Sequence, residues 1–157
     1  MRESPLVNFV NAAQAECYQR ILPWLQDIFG DSLLICEDVP EFGIMVGSAF
    51  AQTSLHPFQD DVLVCTRAYV VRGADLSYEL YDFLLRENFH VVMGGFGVSP
   101  QGDIFFQHAI LGSTCDAPEL ESSVMAVALL ADRYDDKIRG QWGGERALDQ
   151  ARAHRNG

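Results

Sequence analysis

Leu120, Val124, Val127, Ala131, Tyr134 and Ile138 recur at alternating steps of four and three, the spacing that lines one face of an α-helix. Asp116 and Glu119 stand just before this run in the D-x-x-E arrangement of a capping box, with Pro118 inside the first turn, so the pattern predicts a long capped helix. A second apolar stripe, Leu6, Val10, Ala13, Cys17, Ile21, Trp24 and Ile28, follows Ser4 and Pro5. It predicts a helix starting at the Ser-Pro pair and kinked or interrupted by Pro23. Gly30 is a natural stop, placing the end near residue 29. A shorter helix is expected from a Ser77 cap through Asn88, with Leu80, Phe83, Leu84 and Phe89 as its apolar edge.

Between these helices the period changes. SLLICEDV, FGIMVGSAFAQTSL and DVLVCTRAYVV are short β-branched and apolar runs separated by VPE and HPFQDD, which are rich in turn formers. In the third run Val62, Val64, Thr66 and Ala68 fall on one face, and Leu63, Cys65, Arg67 and Tyr69 on the other. Both faces are partly apolar, as in an inner strand with helix on one side and a helix or a partner on the other. Two more strands flank SPQGD. Alternation there sends Ile104, Phe106, His108 and Ile110 one way, and Phe105, Gln107, Ala109 and Leu111 the other. The predicted order is helix, three strands, helix, two strands, helix: an α+β domain with an antiparallel sheet and helices packed on it. One domain is expected over residues 1–140, with a polar tail over 141–157.

Composition narrows the partners. Eleven Lys and Arg against 22 Asp and Glu leave a net charge of −11, which disfavours nucleic acid because that binding rests on basic residues displacing counterions. Cys17, Cys36, Cys65 and Cys115 are scattered among apolar neighbours without CxxC pairing, as expected of reduced, buried thiols in a cytoplasmic protein. MRESPLVNFV lacks the basic and apolar regions of a secretory leader, and no apolar run approaches a membrane span. Neither export nor membrane insertion is expected.

The glycine-rich run MGGFGVSPQGD invites two chemical readings. A dinucleotide loop needs G-x-G-x-x-G between a strand and a helix, but Pro100 stands at the third glycine after Gly95 and Gly97. A nucleophile elbow needs G-x-S-x-G, whereas Ser99 lies in G-x-S-x-x-G, and the nearby Asp103 and His108 fall on opposite faces of one strand. A hairpin turn, with Pro100 pre-set and Gly102 at positive φ, fits better. His56, His90, His108 and His154 lack metal-ligand spacing, His108 and Cys115 lack a third ligand, and Asp132, Asp135 and Asp136 read as a solvated helix face. No metal or cofactor is expected.

VSPQGDIFFQHAILGST followed by DAPELESSVMAVALLADRYDDKI resembles the YbjN family, cyanobacterial members included, which is grouped with the type III secretion chaperone-like fold. The resemblance rests on the G-D-I-F-F-x-H strand, the L-G-S-T exit, the acidic helix cap and the A-D-x-Y-D-D-x-I helix end. The order of elements agrees from about residue 5 to 140. It implies a curved antiparallel sheet, homodimers, and binding of a protein or peptide client on apolar surface without catalysis. Patterning alone nominates Phe96, Phe105, Gln107 and Leu111 for that contact, leaving open which sheet face is free. The alternatives are a sensor or enzyme with a site around His108 and Asp103, and a structural subunit of a larger assembly.

Overall fold

A computed structural model describes residues 6–146. Among them are three α-helices, one 3-10 turn and seven strands: α1 (Ala12–Phe29), the turn Gly30–Ser32, β1 (Leu33–Ile35), β2 (Glu41–Val46), β3 (Ala49–Phe58), β4 (Asp61–Arg72), α2 (Tyr78–His90), β5 (Gly95–Val98), β6 (Ile104–Leu111), α3 (Ala117–Trp142) and β7 (Glu145–Arg146). The strands form one sheet in the order β1-β2-β3-β4-β6-β5, with β7 paired to the end of β4, and every pairing is antiparallel. The expected α+β class holds.

Four local expectations are corrected. The Ser4–Pro5 start lies outside the described residues, yet helix begins only at Ala12, and Leu6 and Val10 are exposed rather than on its buried face. Asn11 is the cap, its Oδ1 accepting from the Gln14 amide. The buried Gln14 side chain then accepts from Val10 N and donates to Leu55 O at 2.8 Å. A tertiary bond to β3 thus fixes the helix start. Pro23 does not interrupt α1: it faces solvent, as does Gln19, whose carbonyl Pro23 cannot serve. FGIMVGSAFAQTSL divides into β2 and β3 at Gly47–Ser48, where Gly47 takes φ 58°. Finally, α3 continues to Trp142, whose ring packs 5.2 Å from Phe83, and Glu145–Arg146 add a short strand where polar tail was expected.

The two remaining caps form as predicted, with Ser77 Oγ accepting from Leu80 N and Asp116 Oδ1 from Glu119 N. All three helices bury their apolar residues against the same side of the sheet. One core cluster joins Ile21 and Leu25 of α1 to Phe42, Ile44, Val64, Leu120 and Val124. The other joins Leu80 and Leu84 of α2 to Ala68, Phe106, Val127, Ala131 and Ile138. Helix α3 contributes to both, and each fully buried aliphatic side chain is worth about 1.5–3 kcal/mol. Between the clusters runs a buried polar seam. Thr53, Thr66 and His108 are cross-strand neighbours on β3, β4 and β6; the two threonine hydroxyls lie 2.8 Å apart, and His108 Nδ1 lies 2.7 Å from Ser123 Oγ of α3.

Candidate functional site

Among the described residues the other side of the sheet carries no helix, and its side chains follow from alternation. On β4, Val62, Val64, Thr66 and Ala68 are buried, whereas Leu63, Cys65, Arg67 and Tyr69 stay exposed or half-buried. Register carries that face onto Phe105, Gln107, Ala109 and Leu111 of β6, and across β3 and β2 to Phe50, Gln52, Ser54, His56 and Met45. This open face is the candidate site.

Its relief is set by two glycines. Gly97 of β5 pairs directly with Phe105, and a Cβ placed on it would lie 2.4 Å from the Phe105 ring. Gly43 of β2, opposite Gln52 and so one same-face pair away from Phe50, makes room for the Phe50 ring, which would meet such a Cβ at 2.7 Å. Each aromatic ring therefore lies flat across a neighbouring strand, in space that only glycine leaves free. Arg67 stacks on the Phe105 plate with its guanidinium carbon 4.5 Å from the ring centre, and donates from Nε and Nη2 to Gln107 Oε1 at 3.0 and 2.7 Å. Tyr69 meets the Phe105 ring edge-on at 6.4 Å, and Arg72 lies 4.7 Å from the Tyr69 ring centre. The result is a floor of aromatic and aliphatic surface crossed by a polar row, Gln52, Arg67 and Gln107. Burial pushes the Cys65 thiol above its ordinary pKa, against the opposing pull of Arg67.

Of the four nominated residues, Phe105, Gln107 and Leu111 lie together on the open face. Phe96 does not: it pairs with Phe106 on the covered face, buried 4.9 Å from the Phe106 and Tyr134 rings, so it belongs to the core. The structure also separates the alternative pair. His108 turns into the covered face toward Ser123, while Asp103 sits in the hairpin with its amide donating to Ser99 Oγ. Ser99 is thereby occupied in its own turn, which closes through Gly102 N to Ser99 O. Among the described residues no group of three or more His, Cys, Asp or Glu is placed to hold a metal.

Sequence reasoning missed Phe50, Arg67, Tyr69 and the two glycines as parts of one surface. The signal available was a glycine opposite an aromatic on the adjacent strand, as at Gly97 and Phe105, or one same-face pair away from it, as at Gly43 and Phe50, readable only once register is known. It also missed a second apolar stripe. On α2, Leu80 and Leu84 are buried as expected, but Phe89 is not on that edge. It is 87% exposed and aligns with Tyr78 (79%), Tyr81 and Leu85 (71%) along the outer side of the helix. Asn88, on the same helix, closes the free edge of β5: its side-chain amide accepts from Phe96 N and donates to Phe96 O.

A family model described as TY-Chap1, "T3SS (YopN, CesT) and YbjN peptide-binding chaperone 1", matches residues 15–150. Among solved structures, the chain is similar to one in the ExsC-ExsE complex, at 16% identity over 80% of this chain and 95% of that one, with a TM-score of 0.61. It is also similar to one in the HopA1-SchA chaperone-effector complex, at 9% identity over 82% and 99% of the two chains and a TM-score of 0.62. At these identities the likeness is one of fold. No curated protein matches the chain.

Proposed function

The chain belongs to the family of T3SS and YbjN peptide-binding chaperones, and from that premise we propose that it binds a polypeptide partner as an extended segment across the open face of its sheet, without catalysis. The observation that carries this reading is the pair of flattened aromatic plates, Phe50 over Gly43 and Phe105 over Gly97, on a face that no helix of the described residues covers. Such a floor offers apolar contact to side chains of many shapes, while Gln52, Ser54 and Gln107 on the same face supply hydrogen-bonding groups. Among the described residues no helix is long and apolar enough to cross a membrane, and we read the protein as acting in the cytoplasm.

A second copy occupies the outer stripe of α2 in this reading. Tyr78, Tyr81, Leu85 and Phe89 lie on one side of a single helix, and such a stripe matches itself about a two-fold axis. Leu85→Asp should convert a dimer to a monomer in sedimentation while leaving the fold intact. A parent protein that sediments as a monomer refutes this assignment.

The sheet-face reading is tested by maleimide footprinting at Cys65, which lies on the open face between Leu63 and Arg67. A twelve-residue peptide selected by display against the protein should slow Cys65 labelling at saturation, and Phe105→Asp should abolish both binding and protection. A bound peptide that leaves Cys65 labelling unchanged would put the site elsewhere.

A further inference from the structure

We propose that the segment held on the open face carries a carboxylate that pairs with Arg67, so that the face selects an acidic residue set among apolar neighbours. The proposal rests on the reading of this face as the polypeptide site. The chain has 22 acidic residues against 11 Lys and Arg, so an exposed arginine has many carboxylates to choose from. Arg86 and Arg139 behave accordingly, pairing with Asp82 and Asp136. Arg67 and Arg72 are different: both lie over aromatic rings, and among the described residues neither forms an ion pair.

Arg67 is also held ready. Its stacking on Phe105 and its two bonds to Gln107 Oε1 fix the guanidinium plane. Two of its five N–H donors are used there, leaving three for a ligand. A fixed fork with unspent donors loses little freedom on meeting a carboxylate. Arg72 adds a second positive charge, and its Nε is buried without a hydrogen-bond partner. Glu145 lies across from Arg72 in register but is not ion-paired with it. Glu41, a carboxylate on the same face two strands from Arg67, already accepts from Gln52 Nε2. The positive charge at Arg67 is therefore not cancelled locally.

The net charge limits the same preference. At −11 the protein as a whole repels a polyacidic segment. Attraction to Arg67 operates over roughly a Debye length, about 8 Å at physiological salt. A single carboxylate flanked by apolar residues satisfies both conditions: Arg67 takes the charge, and the Phe105 and Phe50 plates take the neighbours.

Three fluorescein-labelled peptides, Gly-Ser-Val-Phe-X-Val-Ile-Gly-Ser with Asp, Asn or Lys at X, test the proposal by fluorescence anisotropy. The parent protein should bind the Asp peptide on the order of tenfold more tightly than the Asn peptide, and the Lys peptide most weakly. Arg67→Gln should bring the Asp-to-Asn ratio to about one, and Arg67→Glu should reverse the order toward Lys. Thermal melts establish that each variant remains folded. Equal binding of all three peptides to the parent, lost in Phe105→Asp, overturns the carboxylate preference and keeps the sheet-face reading. If no peptide binds, or binding survives Phe105→Asp unchanged, both fall.

Discussion

The two faces of strand β4 share one backbone and differ in what their side chains meet. Val62, Val64, Thr66 and Ala68 enter a closed interior where three helices fill the space, and where Thr53 pairs with Thr66 and His108 with Ser123. Leu63, Cys65, Arg67 and Tyr69 point to a surface whose aromatic rings are held flat by missing Cβ atoms and whose arginines form no ion pair among the described residues. Packing and polar satisfaction govern the first face, and availability governs the second. The comparison teaches where to expect stability and where to expect binding, because a residue whose contacts are complete has nothing to offer a partner.

Neighbouring phenylalanines on β6 give the sharpest test. Phe106 is fully buried against Phe96, whereas Phe105 is half-buried under Arg67. Phe106→Ala should cost about 3–5 kcal/mol in urea unfolding, through lost transfer energy and an unfilled cavity. Phe105→Ala should cost under about 1 kcal/mol, the order of a cation–π contact at an exposed site, and should remove peptide binding instead. Similar costs for the two would erase the distinction between the faces.

The polar seam on the covered side comes next in size. Ser123 is buried, and its hydroxyl is the partner of His108 Nδ1. Ser123→Ala leaves that nitrogen without its partner in an apolar surrounding, at an expected cost of about 1–3 kcal/mol. Peptide affinity should not change, since the loss lies behind the sheet. A change in affinity larger than the change in stability would show that the faces communicate through β6.

Much of the covered side was legible in the sequence, because it is built from repeated positions. The α3 stripe, the Ser77 and Asp116 caps, the SPQGD hairpin and the alternation of β4 and β6 all follow from local spacing and local chemistry. What failed depends on distant partners. Helix α1 starts where Gln14 can reach Leu55, a contact that no local propensity reports. Strand β7 is two residues long and exists by pairing with β4. The error at Phe96 has another cause. In GFGV the alternate positions are glycines, so no side-chain contrast sets the phase of β5, and only the pairing of Phe96 with Phe106 assigns its face. The floor of the open face was hidden for the same reason, since its informative residues are the ones without side chains.

Charge supplies the smallest and most conditional prediction. While the open face leaves arginines without carboxylates, the covered side buries a carboxylate, Asp135, whose nearest cation is Arg146 at 3.9 Å. Burial raises the Asp135 pKa, the nearby Asp136 and Asp132 add to the rise, and Arg146 opposes it. The folded state therefore holds this proton more tightly than the unfolded chain, so the associated stability is present below the unfolded carboxylate value of about 4 and is lost as pH rises through the folded value. Asp135→Asn removes the titration while keeping the shape. Its stability should nearly equal that of the parent near pH 3 and exceed it by a growing margin toward about pH 7, measured as paired urea unfolding curves. A parent that instead gains on the variant as pH rises would mean that the Arg146 pair outweighs burial. The covered side would then hold its charge as a completed contact, like the threonine and histidine pairs of the seam.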